Sequence, residues 1–255
     1  MTAPLPTVTE LLDLARHAAE AGAHVIGRPL PRDSVVTKGA PGDIVTQLDV
    51  AAERRVREFL LEARPHDRVV GEELDDAGAP DASLRWSIDP LDGTTNKVKG
   101  LPFYATSVAV QSTATGEWLA GAVHAPELSK EYFAARGQGA WVKFGGRVER
   151  LSGPAPDAGT RLLGTGLSYD SSVRTTQLAD LSHYMDHFDD MRSLGSAALG
   201  LCAVADGSVD AFLESDLYEF DWAAAALIAE EAGASVERPA QHRGGILAYF
   251  GPDFR

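Results

Sequence analysis

The chain has 255 residues, of which 44% are hydrophobic and 24% charged, and its formal net charge is −14. This is the composition of an ordinary globular protein with a sizeable core, and its acidity argues against a nucleic-acid backbone as the main partner. A single cysteine, Cys202, excludes an internal disulfide framework and a thiolate zinc cluster.

The first predicted element is an amphipathic helix over residues 9–26, where apolar residues recur at helical spacing. Thr7 and Thr9 are both suitable N-caps. Gly22 falls on the apolar face, where it would permit close packing against a neighbour.

A second helix is predicted from about residue 46 to residue 63, after a loop over residues 31–45. Its charged residues are interpreted as a solvated face. They are Glu53, Arg54, Arg57 and Glu58.

Short strands follow the second helix. Residues 69–73 predict a strand that ends in two acids, and residues 75–83 predict an exposed loop. An apolar strand then leads into a tight turn within residues 86–96. The next strands are predicted to form an antiparallel meander, with a hairpin turn at residues 137–139. They cover residues 104–111, 118–124 and 131–135.

Loop-like composition at residues 151–157 predicts a boundary between two halves. Residues 1–153 would form an N-terminal α+β half, and residues 154–255 a C-terminal α/β half, because helices and strands alternate there. The predicted strands are 161–165, a short one near 191, 209–213 and 246–249, and the predicted helices are 175–187, 196–205 and 222–232.

The turn within residues 86–96 carries two carboxylates, Asp89 and Asp92, on a restricted backbone. Pro90 fixes one φ angle and Gly93 permits an unusual one. Clustered acids and hydroxyls on a rigid turn suit a hard cation such as Mg²⁺. Asp-x-x-Asp-Gly is also a common turn, so a purely structural or calcium-binding turn is an alternative.

Acids elsewhere in the chain could complete such a site, although carboxylates cluster in a cleft only with protons or cations. Bound Mg²⁺ ions would clamp a phosphate for in-line displacement, while Thr94 or Thr95 orients a water and a carboxylate accepts its proton. Backbone N–H groups of residues 93–95 could hold the phosphate. The further acids are Asp43, Asp49, Glu72, Glu73 and Asp221.

Three motifs resemble the signature set of the inositol monophosphatase family, part of the superfamily that includes fructose-1,6-bisphosphatases. They are Val-Gly-Glu-Glu at residues 70–73, Trp-Ser-Ile-Asp-Pro-Leu-Asp-Gly-Thr-Thr-Asn at residues 86–96, and Glu-Phe-Asp-Trp-Ala-Ala-Ala at residues 219–225. Residues 38–49 and 195–198 also match, so the resemblance covers nearly the whole chain. It implies a mixed α+β and α/β fold, a layered α-β-α-β-α sandwich.

The resemblance also implies an activity: Mg²⁺-dependent hydrolysis of a small phosphate monoester by in-line attack of a metal-activated water. Inositol monophosphate is the reference substrate, with roughly two or three Mg²⁺ ions per site. The implied metal ligands are Glu72, Asp89, the backbone carbonyl of Leu91, Asp92 and Asp221. The residues implied in catalysis are Thr94, its partner Asp49, and Glu72. The implied substrate contacts are Gly93, Thr94, Thr95, Ala197, Glu214 and Asp221.

This sequence departs from the family pattern at Lys97, where an aromatic residue is usual. With Lys99 close by, Lys97 would either meet a second anionic group on the substrate or offset the acidic site. The acidic stretch 214–221 instead favours a polyol or cationic leaving group. Family members commonly continue with a further helix after Gly233, so a trimmed C-terminal edge is expected. The additional candidate site residues are Lys38, Asp43, Glu73 and Lys97.

Several alternatives stay open at this point. The substrate could be histidinol phosphate, a sugar phosphate, a 3′-phosphonucleotide or an intermediate of secondary metabolism. A non-catalytic metal-binding protein is the alternative from a different class, and calorimetry would separate metal binding from turnover. His183 and His187 are interpreted as an exposed helix face rather than a zinc site. Residues 193–196 are interpreted as a helix cap on the substrate side.

The expected setting is a cytoplasmic homodimer that binds a small phosphorylated substrate, without nucleic-acid or membrane partners. The dimer is implied by the resemblance. No signal-peptide pattern opens the sequence, and no stretch approaches the ~20 apolar residues of a membrane span.

Overall fold

The computed structural model describes residues 6–31, 34–38, 43–155 and 159–251. The helices in this part of the chain are α1 (Val8–Ile26), α2 (Gln47–Ala63), α3 (Thr94–Lys99), α4 (Ser171–Tyr184), α5 (Ala197–Asp206) and α6 (Glu219–Ala232). The strands of the first half are β1 (Val35–Thr37), β2 (Ile44–Thr46), β3 (Arg68–Gly71), β4 (Leu84–Asp92), β5 (Ala105–Ser112), β6 (Trp118–Ala125), β7 (Lys130–Ala135), β8 (Ala140–Phe144) and β9 (Arg147–Arg150). The strands of the second half are β10 (Leu162–Thr165), β11 (Asp190–Arg192), β12 (Ala211–Tyr218), β13 (Ser235–Glu237) and β14 (Arg243–Tyr249).

Capping boxes start the first two helices. In α1, the Thr7 hydroxyl accepts from the Glu10 N–H, and the Glu10 carboxylate accepts from the Thr7 N–H. Thr7 is therefore the N-cap, and Thr9 lies inside the helix. Thr46 and Asp49 form the same box at the start of α2, which places Asp49 at a fixed position in the first turn.

The larger sheet contains the predicted meander. Its strand order is β3-β4-β5-β6-β7-β8-β9, with antiparallel pairing from β4 onward and β3 parallel to β4 at the edge. The last two strands were not predicted. β9 is exposed along its length and β8 over its second half, so neither has the apolar alternation that identifies a strand in sequence.

Helices and sheets stack in five layers. Helices α1 and α2 cover one face of the larger sheet, with Trp86 and Leu60 in the core between them. Helices α5 and α6 fill the space between this sheet and the smaller one, whose order is β11-β10-β12-β14-β13. Helix α4 packs through Leu181 on the outer face of the smaller sheet. The fold is thus the predicted layered α-β-α-β-α sandwich.

The proposed boundary at residue 153 falls between β9 and β10, and residues 156–158 lie outside the described part of the chain. The central core cluster draws on both sides of it, since it contains both Val123 from β6 and Leu227 from α6. The two halves share this core. The boundary between them stays a prediction. Among the described helices, none combines the length and apolar character that crossing a membrane requires.

Two local predictions need correction. Residues 31–45, predicted as a loop, include β1, which pairs with β2 in an antiparallel hairpin. Both strands have only three residues and β1 is exposed, so they depend on backbone pairing that sequence pattern does not reveal. Residues 39–42 lie outside the described part. Helix α4 begins four residues before its predicted start, because the Asp170 carboxylate caps it.

Gly121 on β6 is where α6 crosses the larger sheet most closely. A Cβ atom there would lie 2.8 Å from Ala224 Cα and 3.0 Å from Ala224 Cβ. We expect Gly121→Ala to lower the free energy of unfolding by about 1–3 kcal/mol in urea denaturation, because the packed layers cannot separate locally. Gly245→Ala is the control, since its Cβ would meet its nearest neighbours at 3.7 Å. Equal losses in the two variants would contradict this expectation.

Candidate active site

The acid turn starts at the end of β4, which is buried along its whole length. Asp89 pairs with Ser107 of β5 but Asp92 pairs with Ala105, so the register shifts between the two acids. In a regular strand, residues three apart point to opposite faces. The bulge changes the direction of the chain between them, and Pro90 occupies it, where its missing N–H is tolerated.

Gly93 turns the chain from β4 into α3. Its φ is +97°, and an added Cβ would lie 2.7 Å from the Phe103 carbonyl oxygen, so no other residue fits without strain. The short helix that follows was not predicted. It begins at Thr94, directly beside the acids.

Thr94 and Asp49 form a hydrogen-bonded pair between α3 and α2. The Thr94 hydroxyl lies 2.8 Å from Asp49 Oδ1 and 3.0 Å from the Leu91 carbonyl oxygen. Asp49 is fully buried and also accepts from the Thr46 backbone N–H at 2.9 Å. Burial raises the pKa of Asp49, and the hydrogen bonds from Thr46 and Thr94 act against that rise. The same carboxylate thus caps a helix and holds the threonine.

Asp92 lies against the start of α5. Its Oδ2 accepts from the Ser196 hydroxyl at 2.6 Å and from the Ala198 N–H at 2.7 Å, and Ser196 is the N-cap of that helix. Burial raises the pKa of Asp92 to about 6, against the opposing effect of the Ser196 hydrogen bond. The helix dipole favours a negative charge at this position.

Asn96 connects the turn to the loop that precedes α5. Its amide nitrogen donates to the Phe103 carbonyl at 2.6 Å and to the Leu194 carbonyl at 2.7 Å. Neither Asn96 nor the Ser196 contact with Asp92 was predicted as part of the site. The contacts of Asn96 with Leu194 and of Ser196 with Asp92 join residues about a hundred positions apart. The sequence pointed to this loop only through the interpretation of residues 193–196 as a helix cap, which Ser196 is, and through the match of residues 195–198 to the family pattern.

Acids from separate elements lie close enough for their charges to act on one another. Burial, followed by the charges of Glu72, Asp92 and Asp221, raises the pKa of Asp89 well above its usual range. Burial and the charges of Asp92 and Glu72 do the same to Asp221. The pKa of Glu72 rises to about 7, mainly through burial and against the pull of Lys38. Four predicted ligands from β4, α6 and the end of β3 therefore share one electrostatic neighbourhood.

This donor set fits a hard divalent cation. Within the described residues, no group of three acidic, histidine or cysteine side chains is arranged to hold a metal ion as it stands. The charges of Glu72 and Asp92 nevertheless raise the pKa values of Asp89 and Asp221, and a bound cation would relieve that repulsion. Carboxylate and carbonyl oxygens are the ligands that Mg²⁺ takes in proteins. The residues that would hold it are Glu72, Asp89, Leu91 through its carbonyl, Asp92 and Asp221.

The additional candidates lie in different places. Lys38 donates to Glu72 at 2.8 Å and to Glu73 at 2.6 Å, so Lys38 and Glu73 adjoin a predicted ligand. Asp43 closes the hairpin, since its carbonyl accepts from the Lys38 N–H at 2.8 Å.

Lys97 points its ammonium group at an aromatic side chain. It donates to the Tyr104 hydroxyl at 3.0 Å, and that hydroxyl donates to Glu127 at 2.9 Å. Burial lowers the pKa of Lys97. A role for Lys97 in substrate binding stays a prediction.

The substrate side of the site contains the two residues that the resemblance implied there. Ala197 is buried in the first turn of α5. Glu214 lies on β12, longer than predicted, and burial together with the Asp92 charge raises its pKa to about 8. An added Cβ at Gly166 would lie 2.1 Å from Glu214 Oε2, so this glycine lets the carboxylate approach β10.

Tyr169 is a neighbour of the site that was not predicted from the sequence. Its hydroxyl lies 3.3 Å from the Thr95 hydroxyl oxygen. Burial and the charges of Asp92, Asp43 and Glu214 raise its pKa. It belongs to a loop before α4 with no motif of its own, so no sequence signal marked it.

A separate cavity of about 860 Å³ lies beside the start of α6, lined by Arg85, Trp118, Glu219 and Trp222 among others. None of the predicted site residues lines it. Trp118 and Trp222 meet there edge to face, with ring centroids 6.0 Å apart. The predicted metal and substrate site and this cavity are therefore in different places.

The acids also predict how stability depends on pH. In the native state the pKa of Asp92 is about 6 and that of Glu72 about 7, so both carboxyl groups hold their protons up to those pH values. In the unfolded chain the same groups release their protons at about pH 4. Because the unfolded state binds fewer protons, the free energy of unfolding of the metal-free protein falls as pH rises from about 5 to 8. We expect the Tm in EDTA to fall over this range and the increase in Tm on adding Mg²⁺ to grow.

Scanning calorimetry at three pH values, with EDTA or Mg²⁺, checks this expectation. Asp92→Asn is the control, since it should flatten the slope in EDTA. A Tm in EDTA that rises across the range, or a Mg²⁺ effect independent of pH, would contradict the assignment.

Comparison with known proteins places the chain among relatives. A sequence model described as the inositol monophosphatase family matches residues 7–250. The inositol-1-monophosphatase of Mycobacterium leprae is 41% identical over 81% of this chain and 72% of its own length. The solved structure of Mycobacterium tuberculosis SuhB is 36% identical, with a TM-score of 0.81, and covers 96% of this chain and 92% of that one. A Pasteurella multocida relative named Nus factor SuhB is 35% identical over 89% of this chain and 84% of its own length.

The layered fold, the acid-lined site and these relatives define the class of protein as a phosphoric monoester hydrolase. The chain belongs to the inositol monophosphatase family. The resemblance identified from three motifs is thus confirmed over nearly the whole chain.

Proposed function

We propose that the chain hydrolyses a small phosphate monoester in a Mg²⁺-dependent reaction, with an inositol monophosphate-like compound as substrate. The proposal is supported by two observations: the charges of Glu72, Asp92 and Asp221 act on buried Asp89, and Thr94 donates a hydrogen bond to Asp49. These are the parts that in-line displacement at phosphorus needs: oxygen ligands for a cation and a group that orients water.

When bound, Mg²⁺ lowers the pKa of a coordinated water and offsets the charge that develops on the phosphoryl and leaving oxygens. The chain's own residues orient that water. Thr94 donates its hydroxyl proton to Asp49 Oδ1 at 2.8 Å, which leaves its oxygen as an acceptor for the attacking water. The proton lost on attack passes through the Thr94 hydroxyl to Asp49, whose pKa burial has raised, so the carboxylate is suited to receive it.

The phosphate would lie against the backbone of residues 93–95, with Gly93 allowing close approach. Asp221 would contact the substrate as well as the cation. Ala197 and Glu214 would contact the alcohol part, and a carboxyl group with its pKa near 8 can both donate to and accept from the hydroxyls of a polyol. Support for a polyol comes from Glu214 and the acidic stretch that follows it along β12.

A phosphate-release screen tests the proposal. The panel contains inositol 1-phosphate, histidinol phosphate, a sugar phosphate and a 3′-phosphonucleotide, each with Mg²⁺ and with EDTA. We expect phosphate release from inositol 1-phosphate in the presence of Mg²⁺ and none in EDTA. Preference for another member would change the proposed substrate but keep the reaction, and no release from any member would contradict the proposed activity.

We further propose a cytoplasmic homodimer, a state that light scattering would test. The absence of a nucleic-acid partner stays a prediction from the net charge of −14.

A further inference from the structure

Two charged residues of α2 face inward, against the prediction of a solvated face. Glu53 is fully buried and Arg57 is only 7% exposed. One turn apart, they form an ion pair, with Arg57 Nε donating to Glu53 Oε1 at 2.8 Å. The prediction of a solvated face is right for Arg54 and Glu58, which are exposed, and wrong for Glu53 and Arg57, because charge alone does not show what packs against a helix.

The pair forms hydrogen bonds with the backbone that follows β3. Glu53 Oε2 accepts from the Glu73 N–H at 2.7 Å, and Oε1 accepts from the Leu74 N–H at 3.3 Å. Arg57 donates to the Leu74 carbonyl at 2.9 Å and to the Asp75 carbonyl at 2.7 Å. The two side chains thus make four hydrogen bonds to three consecutive residues.

Glu72, the predicted Mg²⁺ ligand, lies between two residues that touch this pair. Glu73, which follows Glu72, donates its N–H to Glu53. Gly71, which precedes Glu72, packs so closely against Glu53 that an added Cβ would lie 2.2 Å from Oε1. β3 is the edge strand of its sheet and pairs with β4 on one side. The sheet therefore holds Gly71, which precedes Glu72, and the α2 pair holds Glu73, which follows it.

The same face of α2 carries Asp49, one turn before Glu53. Residues four apart on a helix lie one above the other, so Asp49, Glu53 and Arg57 form a single row. The row connects the Thr94 partner rigidly to the segment that bears Glu72. A buried ion pair is weak evidence for stability, since apolar residues of similar volume often serve as well. Its bonds to a ligand-bearing segment indicate a different role.

We propose that Glu53 and Arg57 are positioning residues, which hold Glu72 in the orientation that binds Mg²⁺ and set its place relative to Asp49. This inference rests on the proposed function of Glu72. Groups that orient a metal ligand typically change metal affinity by about 10–100-fold when they are lost.

Arg57→Met tests the role, because it removes both carbonyl contacts and keeps an unbranched apolar side chain. We expect the Mg²⁺ concentration for half-maximal phosphate release to rise at least about tenfold, with kcat at saturating Mg²⁺ within about threefold of the wild type. Titration of Mg²⁺ alone into the metal-free protein should show the same loss of affinity by calorimetry. Arg54→Met, exposed on the same helix, should match the wild type in both measurements.

A second variant, Glu53→Gln with Arg57→Met, removes both charges together and so avoids an unpaired buried carboxylate. It should show the same weakening of Mg²⁺ binding. A folded variant with wild-type Mg²⁺ affinity, or with a lowered Tm as its only change, would overturn the positioning role while leaving the proposed function intact. A wild-type protein that neither binds Mg²⁺ nor releases phosphate would overturn both.

Discussion

Asp92→Asn is expected to lower kcat for phosphate release by at least about a hundredfold while the fold survives. Asp92 is the predicted ligand most tightly fixed by its surroundings, through the Ser196 hydroxyl and the Ala198 N–H. An asparagine can still accept both hydrogen bonds through its carbonyl oxygen, so the packing is kept. It lacks the charge that would balance a divalent cation, and it puts an amide where a carboxylate oxygen would bind.

Turnover at saturating substrate and far-ultraviolet circular dichroism are the two measurements for this variant. Asp81→Asn, an exposed aspartate before β4, is the matched control and should retain wild-type turnover. Near-normal turnover in Asp92→Asn with an unchanged spectrum would contradict the assignment of Asp92 as a metal ligand.

Thr94→Val is expected to lower kcat by about a hundredfold or more without weakening Mg²⁺ binding, because proton transfer by a positioned group contributes ~10²–10⁴-fold. Valine has nearly the shape of threonine but cannot donate to Asp49 or accept from water. Asp49 keeps its hydrogen bonds from Thr46, so the start of α2 remains capped. The effect therefore isolates the hydroxyl.

Thr94→Ser is the matched control, because it keeps the hydroxyl and removes only a methyl group. It should recover most of the activity. Phosphate release across a Mg²⁺ titration separates the two roles: Asp92→Asn shifts the Mg²⁺ dependence and also lowers the plateau, whereas Thr94→Val lowers the plateau alone. Equal activity in Thr94→Val and Thr94→Ser would contradict the role of the hydroxyl.

Sequence was sufficient for the parts of the site that are local. The turn at residues 86–96 could be identified because Pro90 and Gly93 restrict the backbone over a few residues and the two acids lie between and beside them. The N-cap of α1 is equally local, and Thr7 was one of the two candidates named for it. The layered fold followed from the family resemblance together with the order of helices and strands.

What sequence could not predict depends on contacts between distant segments. Glu53 and Arg57 look like any charged pair on an amphipathic helix, and only the backbone of residues 73–75 gives them a buried role. Tyr169 and Ser196 reach the site through loops with no periodic pattern. β1, β8 and β9 are short or exposed, so they lack the apolar alternation on which strand prediction relies.

The most direct test of the central claim is a Mg²⁺ titration of phosphate release from inositol 1-phosphate, starting from protein freed of metal with EDTA. Without a cation, the charges of Glu72 and Asp92 act against the ionised forms of buried Asp89 and Asp221. Activity should therefore be absent in EDTA and rise to saturation as Mg²⁺ is added. Phosphate release that persists in EDTA, or a protein that binds Mg²⁺ yet releases no phosphate from any monoester of the panel, would contradict it.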